Sequence, residues 1–123
     1  MILYLELEVL ADQLANAGFQ VGDYGLLHAA LARARANLFG ADVYPSIELK
    51  SAAIVQSLVK SSPMVSATNR SGWFVLNAFL VMNGFVLETN RSQVLELMQT
   101  IQNDKISLSQ LAEWISTHKS PFA

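Results

Sequence analysis

The sequence contains no cysteine, and this absence removes a whole class of sites before any motif is considered. Without thiols the chain can form no disulfide, no cysteine-ligated zinc site and no iron–sulfur cluster. Its two histidines, His28 and His118, have neither a carboxylate nor a second histidine at the spacing of metal ligands. We therefore expect no metal site.

Charged residues are scarce as well: they make up 15% of the 123 residues, and the formal net charge is -2. Nucleic-acid-binding domains usually carry a basic face, so this balance predicts no nucleic-acid partner. The apolar fraction of 52% predicts one densely packed domain over residues 1–123, with some apolar surface kept for a partner.

No stretch has the pattern of a targeting or membrane-spanning segment. The first residues lack a basic region and include Glu6 and Glu8, unlike a signal peptide. The longest apolar run, Trp73–Met82, is about half of the roughly 20 residues that cross a bilayer. We therefore expect no membrane partner and a cytoplasmic location.

What the chain does contain is a series of short amphipathic segments, each opened by a residue that favours a helix N-cap. The expected caps are Asp23, Ser46, Asn90 and Ser107, the last two with capping-box spacing. Another helix, at about residues 70–83, is apolar all round, which predicts neighbours on every side. Residues 85–87 are expected to form an extended connector. The fold class is all-α: a single compact domain of five to seven helices around a central buried helix.

The loop before this central helix is rich in serine, threonine and asparagine, and Thr68 or Asn69 is expected to cap the helix. A helix N-terminus presents unpaired N–H groups and partial positive charge, which attract anions. The predicted anion-binding residues are Thr68, Asn69, Arg70, Ser71 and Gly72, with Gly72 allowing close approach of a ligand. The alternative is an ordinary capped helix in which Arg70 packs or is solvated.

Residues 62–73, Ser-Pro-Met-Val-Ser-Ala-Thr-Asn-Arg-Ser-Gly-Trp, resemble the Fic/Doc signature His-Pro-Phe-x-Asp-Gly-Asn-Lys-Arg-Thr-Gly/Ala-Trp. The flanks are similar to the Doc (death-on-curing) branch at residues 25–33, 44–53 and 77–85. The resemblance implies an all-helical fold and transfer of a phosphate-containing group from a nucleotide to a protein hydroxyl. Fic proteins typically transfer AMP, whereas Doc toxins phosphorylate the translation factor EF-Tu and are silenced by an antitoxin.

The resemblance also assigns roles to the signature positions. In the family the histidine removes the proton of the target hydroxyl, the acidic residue holds Mg²⁺, and the asparagine, arginine and amides grip phosphates. Here those positions hold Ser62 for the histidine, Ser66 for the acid, Thr68 for the asparagine and Asn69 for the lysine. Losing a general base alone costs about 10²–10⁴-fold in rate. We expect a degenerate site with no catalytic residue and no cofactor, leaving residual nucleotide or phosphate binding open.

Three functions stay open at this point. The first is a protein-binding module of toxin–antitoxin or phage type, whose partner is an antitoxin-like peptide, a homologous toxin, a translation factor or a second copy of the chain. The second is a Doc/Fic-like transferase that uses Asp42, Glu48 or His28 in a non-standard site. The third is a ligand-sensing domain that uses the anion site.

Overall fold

The computed structural model describes residues 1–122; Ala123, the last residue of the expected domain, lies outside the described residues. Over residues 1–122 the chain forms α1 Leu7–Asn16, α2 Tyr24–Ala32, α3 Ile47–Ser61, α4 Thr68–Met82, α5 Arg91–Gln102 and α6 Leu108–His118. Short strands are β1 Asn37–Leu38, β2 Ala41–Asp42, β3 Phe85–Leu87 and β4 Lys119–Pro121. The all-α prediction is confirmed.

The predicted N-caps are present. In each, the side chain accepts a hydrogen bond from a backbone N–H in the first turn of its helix, which would otherwise have no partner. Asp23 Oδ1 accepts from Leu26 N at 3.0 Å, and Ser46 Oγ accepts from Leu49 N at 3.1 Å. Reciprocal capping boxes open α5 and α6 at Asn90–Gln93 and Ser107–Gln110. These four helix starts are confirmed.

The start of α4 differs from the sequence prediction. The helix begins at Thr68, and its N-cap is Ala67, which makes no side-chain cap hydrogen bond and has φ 57°. Neither Thr68 nor Asn69 caps the helix, because both already lie within its first turn. The predicted polar N-cap is therefore wrong, and the N-cap residue is Ala67, whose backbone has a left-handed conformation.

Two buried clusters form the core on either side of α3 and α4. One gathers side chains of α1–α4: Leu10, Leu14, Leu27, Ile54 and Phe79. The other gathers side chains of α3–α6: Val55, Leu76, Leu80, Leu97 and Leu111. Gly72 allows close packing in the second cluster, because a Cβ there would lie 3.3 Å from both Met98 Cε and Val59 Cγ2.

Helix α4 is central but is not covered on every side. It buries Val75, Leu76, Phe79 and Leu80, whereas Val81 and Met82 are 44% and 38% exposed. The exposed residues lie along the side of α4 between α1 and α5. The prediction of neighbours on every side is therefore wrong for this face, because no helix of residues 1–122 covers it.

Two small antiparallel pairs complete the fold. Strand β3, expected to be a connector, pairs with β4, with Val86 opposite Ser120. Strands β1 and β2 form a hairpin before α3. Lys50 of α3 connects this hairpin to the helix. The residue is 1% exposed, and its Nζ donates to Ala34 O at 3.0 Å and lies 3.2 Å from Asp42 Oδ2.

Candidate functional site

The signature loop, residues 62–67, joins α3 to α4. The residue at each end of the loop has a left-handed backbone conformation. Ser62 ends α3 with φ 52°, and its N–H donates to Leu58 O at 3.1 Å. Ala67 starts α4 with φ 57°. Left-handed backbone is costly for residues other than glycine, so the surrounding structure must hold these two turns in place.

The loop between α1 and α2 supplies that support through its main chain. Pro63 O accepts hydrogen bonds from Gly22 N and Asp23 N, both at 2.8 Å, and Val65 N donates to Gln20 O at 2.9 Å. A Cβ at Gly22 would lie 3.3 Å from Pro63 O, so glycine permits this close approach. The signature loop is thus positioned by backbone contacts that do not involve its polar side chains.

The polar side chains of the loop lie at the N-terminus of α4. Ser62 Oγ and Thr68 Oγ1 are 3.2 Å apart, and Ser66 is exposed on the same loop. Within residues 1–122 there is no group of three His, Asp or Glu side chains suited to a metal ion. The arrangement offers hydroxyl groups that donate and accept hydrogen bonds, but no ionised side chain between Ser62 and Asn69.

The five predicted anion-binding residues have different surroundings in α4: some lie at its N-terminus and others are buried in the core. The N–H groups of Thr68, Asn69 and Arg70 belong to the unpaired first turn of α4, and the Arg70 side chain is exposed above the Phe19 ring. Ser71 is buried, and its Oγ donates to Thr68 O at 2.9 Å. Gly72 faces the core, so the close ligand approach expected there is wrong. Anion binding by the other three residues stays a prediction.

Asn69 connects the loop to α5. Its Nδ2 donates to Gln102 Oε1 at 3.1 Å, whereas its Oδ1 is buried and has no hydrogen-bond partner within residues 1–122. A buried acceptor without a partner is unfavourable. The side chain therefore has an unused acceptor beside the open face of α4.

That open face is the floor of a large groove with a volume of about 940 Å³. Its walls come from α1 and α5, and its apolar lining includes Phe19, Trp73, Phe74, Val81, Leu95 and Met98. Polar side chains between these are mostly amides, and Arg70 is the charged residue of the lining. A second concavity of about 360 Å³ shares Gln13, Ala78 and Val81 with the groove and extends the apolar surface toward Tyr4.

The alternative catalytic residues are not brought to the signature loop. Glu48 is in the first turn of α3 and pairs with Lys119 at 3.2 Å, whereas Ser62 follows the last turn, about 21 Å along the helix. Asp42 is engaged by Lys50. His28 lines a separate concavity with Glu6 and Arg35. The structure therefore does not assemble these three side chains into one site.

Comparison with known proteins finds a relative called "Toxin Doc" from Mycolicibacterium smegmatis. It is 40% identical over 90 residues, which cover 71% of this chain and 69% of that protein. The chain belongs to the Doc family. This confirms the predicted membership of the family. No protein-family profile matches the chain, and no solved structure matches it.

In this Doc-family chain the groove is the feature that sequence reasoning missed. The available signal was Asn77, a polar residue within the apolar run of α4, which now lines the groove. Among residues 1–122, no helix is both long enough and apolar enough to cross a bilayer.

The left-handed Ala67 gives this Doc-family chain a testable point of strain. We expect Ala67→Gly to raise the free energy of unfolding by about 1 kcal/mol, because the left-handed penalty exceeds the extra unfolded-state entropy of glycine. Urea unfolding measures the change. The matched control is Ala29→Gly in the exposed face of α2, which should lower stability by roughly 0.5–1 kcal/mol. Equal destabilisation by both variants would contradict a strained residue 67.

Proposed function

We propose that this Doc-family protein is a pseudoenzyme of toxin–antitoxin type that binds a protein partner in the cytoplasm and does not transfer phosphate or AMP. The observation that carries the proposal is the contrast within the signature loop. Its backbone is held in place by Gly22 and Asp23, while the side chains at Ser62, Ser66 and Thr68 are uncharged hydroxyls. The loop is held by main-chain hydrogen bonds, yet its side chains are not suited to transferase chemistry.

The chemical argument rests on two losses. Transfer to a protein hydroxyl needs a group that takes the hydroxyl proton, and a neutral serine at position 62 is a poor base. It also needs charge to hold Mg²⁺, which stabilises the transition state by several kcal/mol, and Ser66 supplies none. Asp42 and Glu48 do not replace these groups, because each is ion-paired away from the loop. We therefore assign no catalytic residue.

The groove supports a protein-binding role. Its apolar floor along α4, from Arg70 to Val81, is about 17 Å long and matches a helix of about three turns. Recognition of an amphipathic helix in a groove is a common mode of peptide binding. Because Arg70 is the charged residue of the lining, we propose that the bound helix has an apolar stripe and a carboxylate facing Arg70, as an antitoxin-like segment would provide.

The N-terminal turn of α4 supports a second, weaker role. Three unpaired N–H groups and the exposed Arg70 lie together there, which suits a phosphate. We propose that any nucleotide or phosphate binding by this protein takes place at this turn, without transfer.

The absence of transfer is tested with EF-Tu, labelled ATP and Mg²⁺. We expect no incorporation above background, in parallel with an active Doc toxin as positive control. Calorimetry with ATP separates residual binding from catalysis, since heat of binding without incorporation matches the anion-site proposal. Incorporation of label by the wild-type protein would contradict the pseudoenzyme assignment.

The partner role is tested with the polypeptide encoded by the adjacent open reading frame. Ala78→Glu places a charge on the groove floor, and we expect it to weaken binding at least about 100-fold in calorimetry. Val65→Glu introduces the same charge at an exposed apolar residue that does not line the groove, and it serves as control. Equal affinities of the two variants would exclude the groove as the binding site.

A further inference from the structure

The hairpin β1–β2 presents an apolar tip that nothing in residues 1–122 covers. Phe39 is 99% exposed and has φ 51°, and the neighbouring Leu38 is 61% exposed. A left-handed, fully exposed phenylalanine is unfavourable on both counts. Because Phe39 and Gly40 are the two turn residues of the hairpin and both have positive φ, the turn accounts for the backbone of Phe39 but not for the full exposure of its ring.

Hydrogen bonds within the hairpin and an ion pair to α3 hold the tip. Asn37 Oδ1 accepts from Gly40 N at 2.9 Å, and Val43 N donates to Ala36 O at 2.9 Å. Asp42 lies 3.2 Å from the buried Lys50 Nζ. Because these contacts fix the hairpin before any partner arrives, little conformational entropy would be lost when Phe39 becomes buried.

An arginine without an acidic partner stands at the base of the hairpin. Arg33 donates to Tyr44 Oη at 2.6 Å and to Ser57 Oγ at 2.9 Å, and its other acceptors, Ala53 O and Gln56 Oε1, are also neutral. Within residues 1–122 it forms no ion pair. This side of the molecule therefore combines an apolar projection with an uncompensated positive charge.

The groove has the complementary properties. It is apolar, and exposed carboxylates flank both of its walls: Asp12 on α1, one turn before Asn16, and Glu96 on α5, one turn before Gln99. Neither carboxylate forms an ion pair in the part of the chain that the structure describes. Arg70 in the lining is positive, so the charge match with the Arg33 side is confined to the rims of the groove at Asp12 and Glu96, whereas the groove floor and the hairpin tip match in apolar character.

We propose that the protein self-associates head to tail, with Leu38 and Phe39 of one copy inserted into the groove of the next. The Arg33 side of the first copy then faces Asp12 and Glu96 of the second. Such a contact joins two different faces, so it leaves one free face at each end and forms rings or open chains. The inference goes beyond the proposed function, although both use the groove, so a bound helix would compete with self-association.

The first test follows molar mass by sedimentation equilibrium from low micromolar to millimolar protein. We expect the wild-type mass to rise with concentration, and Phe39→Ser to weaken association at least about thirtyfold. Tyr24→Ser removes another exposed aromatic, away from both faces, and should leave association unchanged. A wild-type protein that stays monomeric throughout, or a Phe39→Ser variant that associates like the wild type, would overturn the proposal.

The second test mixes two variants that each fail to associate alone. Phe39→Ser keeps an intact groove, and Ala78→Glu keeps an intact hairpin tip. Their mixture should form a one-to-one dimer and stop there, because only one matched pair of faces remains. Failure of the mixture to dimerise would overturn the head-to-tail arrangement. Phe39→Ser should bind the adjacent-frame polypeptide at least as tightly as the wild type, because its groove is no longer occupied by a second copy, so failure of the partner role is detected separately.

Discussion

Restoring the four altered signature side chains, by Ser62→His, Ser66→Asp, Thr68→Asn and Asn69→Lys together, is expected to raise nucleotide-dependent transfer at least about 10²-fold above the wild-type level. The backbone suits these residues. Histidine is among the residues found more often in left-handed backbone, which position 62 adopts with φ 52°. Position 66 is exposed, just before α4, where a carboxylate is favoured by the helix N-terminus.

The assay uses EF-Tu, labelled ATP and Mg²⁺, with circular dichroism to establish that the variant is folded. The control adds Arg70→Ala to the four changes, which removes the exposed guanidinium and should abolish the gained transfer. A folded variant with the four restored side chains and no transfer would contradict the view that the loop is a Doc loop altered only in its chemistry.

Lys50→Ala is expected to lower the free energy of unfolding by about 3 kcal/mol. The substitution removes a fully buried side chain and leaves Ala34 O without its donor. It also releases Asp42, so the hairpin loses the ion pair that joins it to α3. Urea unfolding measures the loss, and amide exchange over residues 37–42 should become faster than in the wild type.

Lys50→Met is the matched control, because methionine keeps most of the buried stem and removes only the charge and its hydrogen bonds. We expect it to cost less than half as much as Lys50→Ala, while still accelerating exchange in the hairpin. A loss below about 0.5 kcal/mol for Lys50→Ala would show that the buried amine does not stabilise the fold.

Helix starts were predictable because their signals are local. Asp23 and Ser46 each accept from an N–H three residues ahead, so the sequence holds both partners within one turn. The pairing of β3 with β4 and the hydrogen bonds from Gly22 to Pro63 were not predictable in this way. They join backbone groups of segments that are far apart in the chain, and backbone groups are the same for every residue type.

The same distinction between local signals and long-range contacts applies to the candidate site. The motif identified Ser62 and Thr68 as signature positions in and after the loop before α4, but it did not predict that their hydroxyl oxygens lie 3.2 Å apart. The motif led to a wrong prediction at Gly72. A glycine that allows close approach of a ligand cannot be distinguished in sequence from one that allows close packing of a neighbouring helix. The groove was missed because an apolar helix face does not itself reveal whether a neighbouring element covers it.

The hydrogen bonds from Gly22 and Asp23 to Pro63 have an evolutionary consequence. Since main-chain atoms hold the loop, we expect substitutions at its hydroxyl-bearing positions to leave its path unchanged. On the proposed pseudoenzyme assignment, point mutations in the loop would remove transfer while the scaffold stays intact, and a few reverse mutations would restore transfer.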